Sequence, residues 1–386
     1  MALQFSSPAW FTVFASLALS LIGVYCIDVA EIVRPFPYWP LSPTAFKQLI
    51  FLAIGIGAAT FCVIPNYRWL EYLVVPLVIV SAGLLIFLLI PFVPTWLVKP
   101  RNGARGWIDL GAFDMQPSEI AKIAVVITLA SYLKFRNSYR TFKGLIPPAI
   151  IVGIPVALIT LQPDLGSASL FVPMLFAVLV AAGAKLRHLL IVVIAAACMA
   201  PAAYPLLKNH QKQRIVGLWK QFQGDTTADL DINMQAVTAQ RMIGAGGMGG
   251  LSDAHSRSLL RYNNLPERHN DMIFAVIVNR FGMLGGLAVI GLYLLWTLGA
   301  FATAAGAKDP FGRLLVVGLA AFIPAQVFVN IGMNLGLLPI IGITLPYISY
   351  GGSSLVICWI ITGLILNTGL RKPKTQFKEA FEFEDE

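Results

Sequence analysis

LPERHNDMIFAVIVNRFGMLGGLAVIGLYLLWTLGA, residues 265–300, decides the fold. Five polar residues, Glu267 to Asp271, run straight into an apolar stretch that continues to Ala300. About 20 mostly apolar residues suffice for a helix to cross a bilayer. The stretch 271–300 therefore predicts a spanning helix, with Asp271 where a polar loop enters it. An ionisable group at a membrane boundary is a functional hypothesis by default. A helix N-terminus also leaves free N–H groups that suit an anion.

Working outward, nine further stretches predict spans: 8–28, 45–64, 72–96, 118–135, 144–162, 166–184, 187–207, 311–335 and 353–370. The composition agrees, since 57% of residues are hydrophobic and only 12% charged. A soluble domain carries roughly twice that charge. The expected fold is an all-α integral membrane protein, a single polytopic domain over 1–386 with ten transmembrane helices. A large extracytoplasmic loop, 208–270, lies between helices seven and eight. No Lys or Arg precedes the first span, so no cleavable signal peptide is expected.

Orientation follows from the Lys and Arg of short loops. With both termini inside, thirteen fall on the cytoplasmic side, among them Arg68, Lys134, Lys185, Arg313 and those of the cytoplasmic tail 371–386. Only four, Arg34, Lys99, Arg101 and Arg105, fall in the short outer loops. The same asymmetry explains the net charge of +9 without nucleic acid. Cys26, Cys62, Cys198 and Cys358 lie far apart in apolar spans, and read as small hydrophobes rather than disulfides or a metal site.

Several polar positions carry two readings each. Asn270 and Asp271 are N-cap types, and the same placement suits a base whose ionised form the helix dipole favours. Glu119 and Lys122, three apart at the start of span four, share a face. They complete a capped first turn with Ser118, or they form a pair facing a cavity. Arg101, Arg105, Arg268 and His269 are solvated loop charge, or a clamp for a phosphorylated lipid. Asp164 in QPDLG (162–166) is a turn residue or a cavity carboxylate. Arg280, inside span eight, must pair or reach water. The run GAGGMGG (244–250) contains a formal GxGxxG, but no strand precedes it, so a flexible outer hinge is expected rather than a dinucleotide site. Segment 336–352 is apolar but broken by Pro and Gly. It reads as a re-entrant or interfacial loop shaping an outward cavity, because irregular backbone at membrane depth must be buried or line a cavity.

Taken together, GARGWIDLG (103–111), QPSEIAK (116–122), QPDLG (162–166), LPERHNDMIFAVI (265–277), NIGMNLGLLPIIGITLP (330–346) and YISYGGSS (347–354) resemble the SEDS family of bacterial envelope proteins (shape, elongation, division, sporulation). The short tails and the NIGM stretch look like its elongation member. Two departures stand out. Asn279-Arg280 replaces a Glu-Glu pair common in the family, and Gly106 stands where Arg or Ser is common.

The resemblance implies a peptidoglycan glycosyltransferase in the inner (cytoplasmic) membrane. Such an enzyme polymerises lipid II for cell-wall elongation and rod shape. Asp271 matches the family's essential aspartate, the expected general base. Glu119 and Lys122 match its paired residues of span four. Arg105, Asp164, Arg268, His269, Ser349 and Ser353 fall in the matched stretches as substrate-binding candidates. A divalent cation, Mg or Mn, could assist, although no motif specifies one. The implied partners are a class B penicillin-binding protein transpeptidase against spans eight and nine, other elongation-machinery proteins and membrane lipids. A lipid II flippase, a division or sporulation role and a pure scaffold are the alternative readings.

Overall fold

The computed structural model describes residues 7–31, 41–94, 96–98, 100, 104–111, 113–136, 138–206, 209–223 and 233–371. Arg34, Lys99, Arg101 and the tail 372–386 lie outside these residues. The described chain forms helices α1 (Ala9–Ala30), α2 (Pro43–Val63), α3 (Val74–Leu89), α4 (Pro117–Leu133), α5 (Ile146–Leu161), α6 (Leu165–Ser169) and α7 (Phe171–Ala182). They continue with α8 (Leu186–Ala203), α9 (Asn209–Phe222), α10 (Met234–Gly246), α11 (Asp253–Asn263), α12 (Ile273–Gly306), α13 (Pro310–Asn334) and α14 (Gly352–Leu370).

Every stretch expected to span is helical. Seven segments are long and apolar enough to cross a membrane unaided, while α3 and the apolar part of α8 are shorter. α4, which carries Glu119 and Lys122, has 17 residues. α12 runs to Gly306, six residues past the expected end, and three other boundaries differ from expectation near prolines. α3 stops at Leu89 instead of running to 96, because Pro91 forces Ile90 out of the helical region (ψ 120°). α6 and α7 break around Leu170, shortly before Pro173. Past Pro201, α8 gives way to a 3-10 turn containing Pro205. The described residues of the long 208–270 segment are largely helical, holding α9 to α11. The 98–117 loop contains two short antiparallel strands, β1 (Ile108–Asp109) and β2 (Asp114–Met115).

α13 and α14 form the centre: 72% and 78% of their spanning windows are buried, against 22% for α2 and 28% for α5. Polar side chains stitch the centre together, as expected where lipid supplies no hydrophobic drive between helices. Trp296 Nε1 donates to Ser16 Oγ at 3.0 Å. Ser16 Oγ lies 3.0 Å from Thr362 Oγ1, which lies 2.8 Å from Tyr347 Oη. Cys26 and Cys358 are buried and free, as small hydrophobes would be.

The segment 336–351 forms no helix; its first half is half-buried with Leu337 exposed, and its second half is packed inside the protein, with Ile348 and Leu345 almost fully buried. Its backbone is satisfied by side chains. Asn330 Nδ2 donates to Ile343 O at 2.7 Å, and Gln48 Nε2 to Ser349 O at 3.0 Å. The glycine run corrects the expected hinge. Leu251 N donates to Asn279 O, and Met283 N to Gly247 O. Gly250 and Gly282, both at positive φ, meet so closely that neither has room for a Cβ. The run is a docking surface, and it is where α12 kinks, at Gly282.

Candidate active site

Asp271 is held by its main chain. The turn before α12 closes through Asn270 N and Met272 N, both donating to Glu267 O. Met272, not Asp271, stands at the N-cap, and no side chain caps α12 from that position. The cap comes from α13. Asn334 Oδ1 accepts from Ala275 N at 3.2 Å, while its Nδ2 donates to Asp271 O at 2.9 Å. Asn330 Nδ2 donates to the same carbonyl at 2.8 Å. Ser349 Oγ donates to Asn270 O at 2.7 Å, and Tyr350 N to His269 O at 2.8 Å. The residues before and at the start of α12 are thus gripped from two sides, and the Asp271 carboxyl is free of capping duty.

Burial pushes the Asp271 carboxyl up to about 7, and the nearby charges of Glu267 and Asp164 push the same way. Arg214 opposes them. Burial and the two neighbouring carboxylates thus work against the ionised form that a helix N-terminus favours.

Asp164 faces this group across the 341–343 backbone. A Cβ on Gly342 would sit 3.5 Å from Asp271 Oδ2, and one on Gly166 would sit 2.6 Å from Ile341 O. Asp164 caps α6 through Oδ1, accepting from Ser167 N at 2.9 Å, and its Oδ2 accepts from Gln116 Nε2 at 3.3 Å. The turn and the site readings therefore both hold. Gly106 lies beside it: a Cβ there would be 3.8 Å from Asp164 Oδ2, so the missing side chain leaves room next to the carboxylate. Arg105 joins this side through its backbone, donating to Gln162 O at 3.4 Å. Its Nε is buried without a protein partner, a donor left for a ligand or water.

The other candidates divide. Arg268 Nε donates to Ala30 O at 2.7 Å, which ties the 265–272 turn to the end of α1. His269 is lowered by burial, so its imidazole is neutral near pH 7, and its Nδ1 has no protein partner. Ser349 uses its hydroxyl internally, accepting from Leu345 N at 2.7 Å as well as donating to Asn270. That makes it a support for the Asp271 turn rather than a substrate contact. Ser353 lies half-buried in the first turn of α14. Glu119 and Lys122 pair at 2.7 Å with 5% and 1% exposure. The pair is sealed among α4, α13 and α14, with Lys122 Nζ 5.6 Å from the Phe322 ring, rather than facing an open cavity. Among the described residues no cluster of three His, Cys, Asp or Glu side chains could hold a metal ion.

Sequence reasoning missed Asn330, Asn334 and Arg214. The Asn-x-x-x-Asn spacing was the available signal, since i and i+4 share a helix face. It also missed the partners of Arg280. Arg280 Nε donates to Tyr25 Oη at 3.0 Å and lies 3.7 Å from Asp253 Oδ1. Asp253 in turn accepts from Arg257, whose Nη2 reaches buried Asp28 at 2.7 Å. The base that replaces a family acid thus sits in its own ion network.

This fold and site define a class: a multi-pass α-helical membrane protein with a carboxylate-bearing polar site at one end of its spans. A cavity of about 90 Å³ at the far end, lined by Tyr67, Lys308 and Arg371 among others, is separate from it. The profile of the cell cycle protein family of FtsW, RodA and SpoVE matches residues 7–372, and the chain belongs to that family. It is 32% identical to stage V sporulation protein E of Bacillus subtilis, over 95% of this chain and 98% of that one. It is 35% identical to the peptidoglycan glycosyltransferase MrdB of Escherichia coli, over 69% and 71% of the two chains. It also superposes, with a TM-score of 0.76 and 31% identity over 93% of this chain and 97% of the other, on a chain of a peptidoglycan synthase complex solved for its coordination of polymerization and crosslinking.

Proposed function

We propose that this protein is a peptidoglycan glycosyltransferase of the elongation type, which polymerises lipid II at the outer face of the inner membrane with Asp271 as general base. The observation that carries the reading is a half-buried carboxyl at the boundary of a span, raised to about 7, whose main chain is held by two asparagines. A base tuned near the working pH accepts a proton efficiently, an effect worth roughly 10²–10⁴ in rate. In the reaction, a sugar hydroxyl of the acceptor attacks the anomeric carbon of the donor with inversion. The proton passes to Asp271 and the lipid pyrophosphate leaves. The leaving group gathers negative charge, which suits preorganised cations and dipoles. Arg105, with its unpartnered Nε, is the candidate nearest Asp164.

Three further points support the reading. MrdB carries the same activity in its name. The chain has no serine-nucleophile motif for cross-linking, and the related synthase complex couples polymerization to crosslinking. A class B penicillin-binding protein transpeptidase is therefore the expected partner. The open apolar face of α12, with Leu284, Leu287, Leu294 and Leu298 all more than half exposed, offers it a surface in the membrane. The test is purified protein with labelled lipid II and products resolved by size. Long glycan from wild type and none from Asp271→Asn supports the reading. Full activity in Asp271→Asn rejects Asp271 as the base.

A further inference from the structure

α9 has two unlike faces. Arg214, Gly217, Leu218 and Gln221 fall at i, i+3, i+4 and i+7, the spacing of one helical stripe. They form the inner face, with Gly217 buried and the other three half-buried. Two contacts place it. Asn233 Nδ2 donates to Gly217 O at 2.8 Å. Gln221 Nε2 sits where a Cβ on Gly336 would come within 2.6 Å. Gly336 is two residues past Asn334, the residue that holds Asp271. Arg214, two turns before Gln221 on the same face, is thereby carried to the acidic site, where its charge and that of Asp271 act on each other.

The outer face is apolar and open. Ile215, Val216, Trp219 and Phe222 are 44%, 40%, 64% and 61% exposed. α8, with Leu190, Ile194 and Met199 exposed, ends at Ala203, so α9 begins only six residues beyond another apolar helix. Lys212 and Lys220 are half-buried at its flanks. An apolar helix face bearing Trp, bordered by Lys, suits the boundary between headgroups and acyl chains.

We propose that α9 lies in the lipid headgroup layer on the Asp271 side, its Ile215–Val216–Trp219–Phe222 face among the acyl chains, and that this seating holds Arg214 over Asp271 as a positioning residue. Arg214 then keeps more of the Asp271 carboxyl ionised, and the bilayer becomes part of the site's support. The lipid seating stands independently of the catalytic reading, whereas the role of Arg214 rests on it.

The test uses the full-length protein with its four native cysteines replaced and a single cysteine at Trp219 or, as control, at exposed Ser258 of α11. Each is labelled with a fluorophore and reconstituted in phosphatidylethanolamine–phosphatidylglycerol vesicles. Nitroxide-bearing acyl chains should quench the label at 219, and iodide should not; the label at 258 should behave in the opposite way. Equal iodide quenching at both positions overturns the lipid seating. In the polymerisation assay, Arg214→Gln should move the acid limb of the pH profile to higher pH, because losing the cation raises the Asp271 pKa. Arg214→Lys should restore the limb. An unmoved limb in Arg214→Gln, or a Lys variant that follows the Gln variant, overturns the positioning role. A wild-type protein without polymerase activity would count against the catalytic reading itself, and the quenching result would still decide the seating.

Discussion

Asn334 binds Asp271 and α12 with one side-chain amide: its Nδ2 donates to Asp271 O at 2.9 Å while its Oδ1 accepts from Ala275 N at 3.2 Å. The helix that follows the aspartate is therefore capped by a neighbouring helix, and the carboxyl stays available. Removing the amide should leave Ala275 N unpaired, at about 1–3 kcal/mol, and leave the Asp271 carbonyl held by Asn330 alone. Asn334→Ala should lower the melting temperature and the polymerisation rate together. Asn334→Asp keeps an acceptor for Ala275 but loses the donor, so it should fall between the two. An Asn334→Ala protein with unchanged melting and rate would show that the grip is idle.

The role of Asp271 is separable from helix capping. Asp271→Asn should abolish polymerisation while expression and folding persist, and Asp271→Glu should keep a small residue of activity because a base remains, one methylene out of place. A capping role predicts the reverse order, Asn tolerated and Glu worse. Lipid II polymerisation by the two variants, with size-resolved products, decides between them.

The raised Asp271 pKa has a pH signature with a definite sign. Activity should rise with pH through about 7 as the carboxyl ionises. A carboxyl raised above its ordinary value of 3.8 leaves stability intact below that value, and stability is then lost progressively as pH climbs to about 7, above which the loss is constant. Asp271→Asn should therefore gain stability relative to wild type between pH 5 and pH 8. Thermal melts of both proteins at the two pH values check this, and a constant difference would contradict it.

The Glu119–Lys122 pair is buried among helices, so breaking one side should be costly. Lys122→Ala should destabilise by about 3–5 kcal/mol, because it leaves a lone buried carboxylate. The double replacement Glu119→Leu with Lys122→Met should recover much of that stability. If it also recovers activity, the pair is architectural; if it melts like wild type but does not polymerise, its charge matters to function.

Topology is open to a direct test. In a background with Cys198, the exposed native cysteine, replaced by Ser, a cysteine at Ser258 of α11 should react with a membrane-impermeant thiol reagent in whole cells. One at Thr375 should react only after lysis. The opposite pattern would reverse the orientation drawn from the charge asymmetry.

The sequence by itself determined where the chain is helical and apolar and where its chemistry had to lie. Spans are legible because about 20 apolar residues in a row have few other stable states, and Asp271 is legible because a carboxylate beside such a run needs a reason to be there. Local chain chemistry also explains why α3 ends just before Pro91. Only the tertiary structure decided the state of the site. The Asp271 pKa depends on burial and on Asp164, Glu267 and Arg214, of which only Glu267 is near in sequence. The grip of Asn330 and Asn334, the inward use of Ser349 and the ion network of Arg280 likewise join residues from distant segments, and the locking of the glycine run onto α12 joins Gly247 to Met283. Periodicity reports which face of a helix is apolar. It carries no information on which distant polar group that face will meet, and at this site those meetings set the charge.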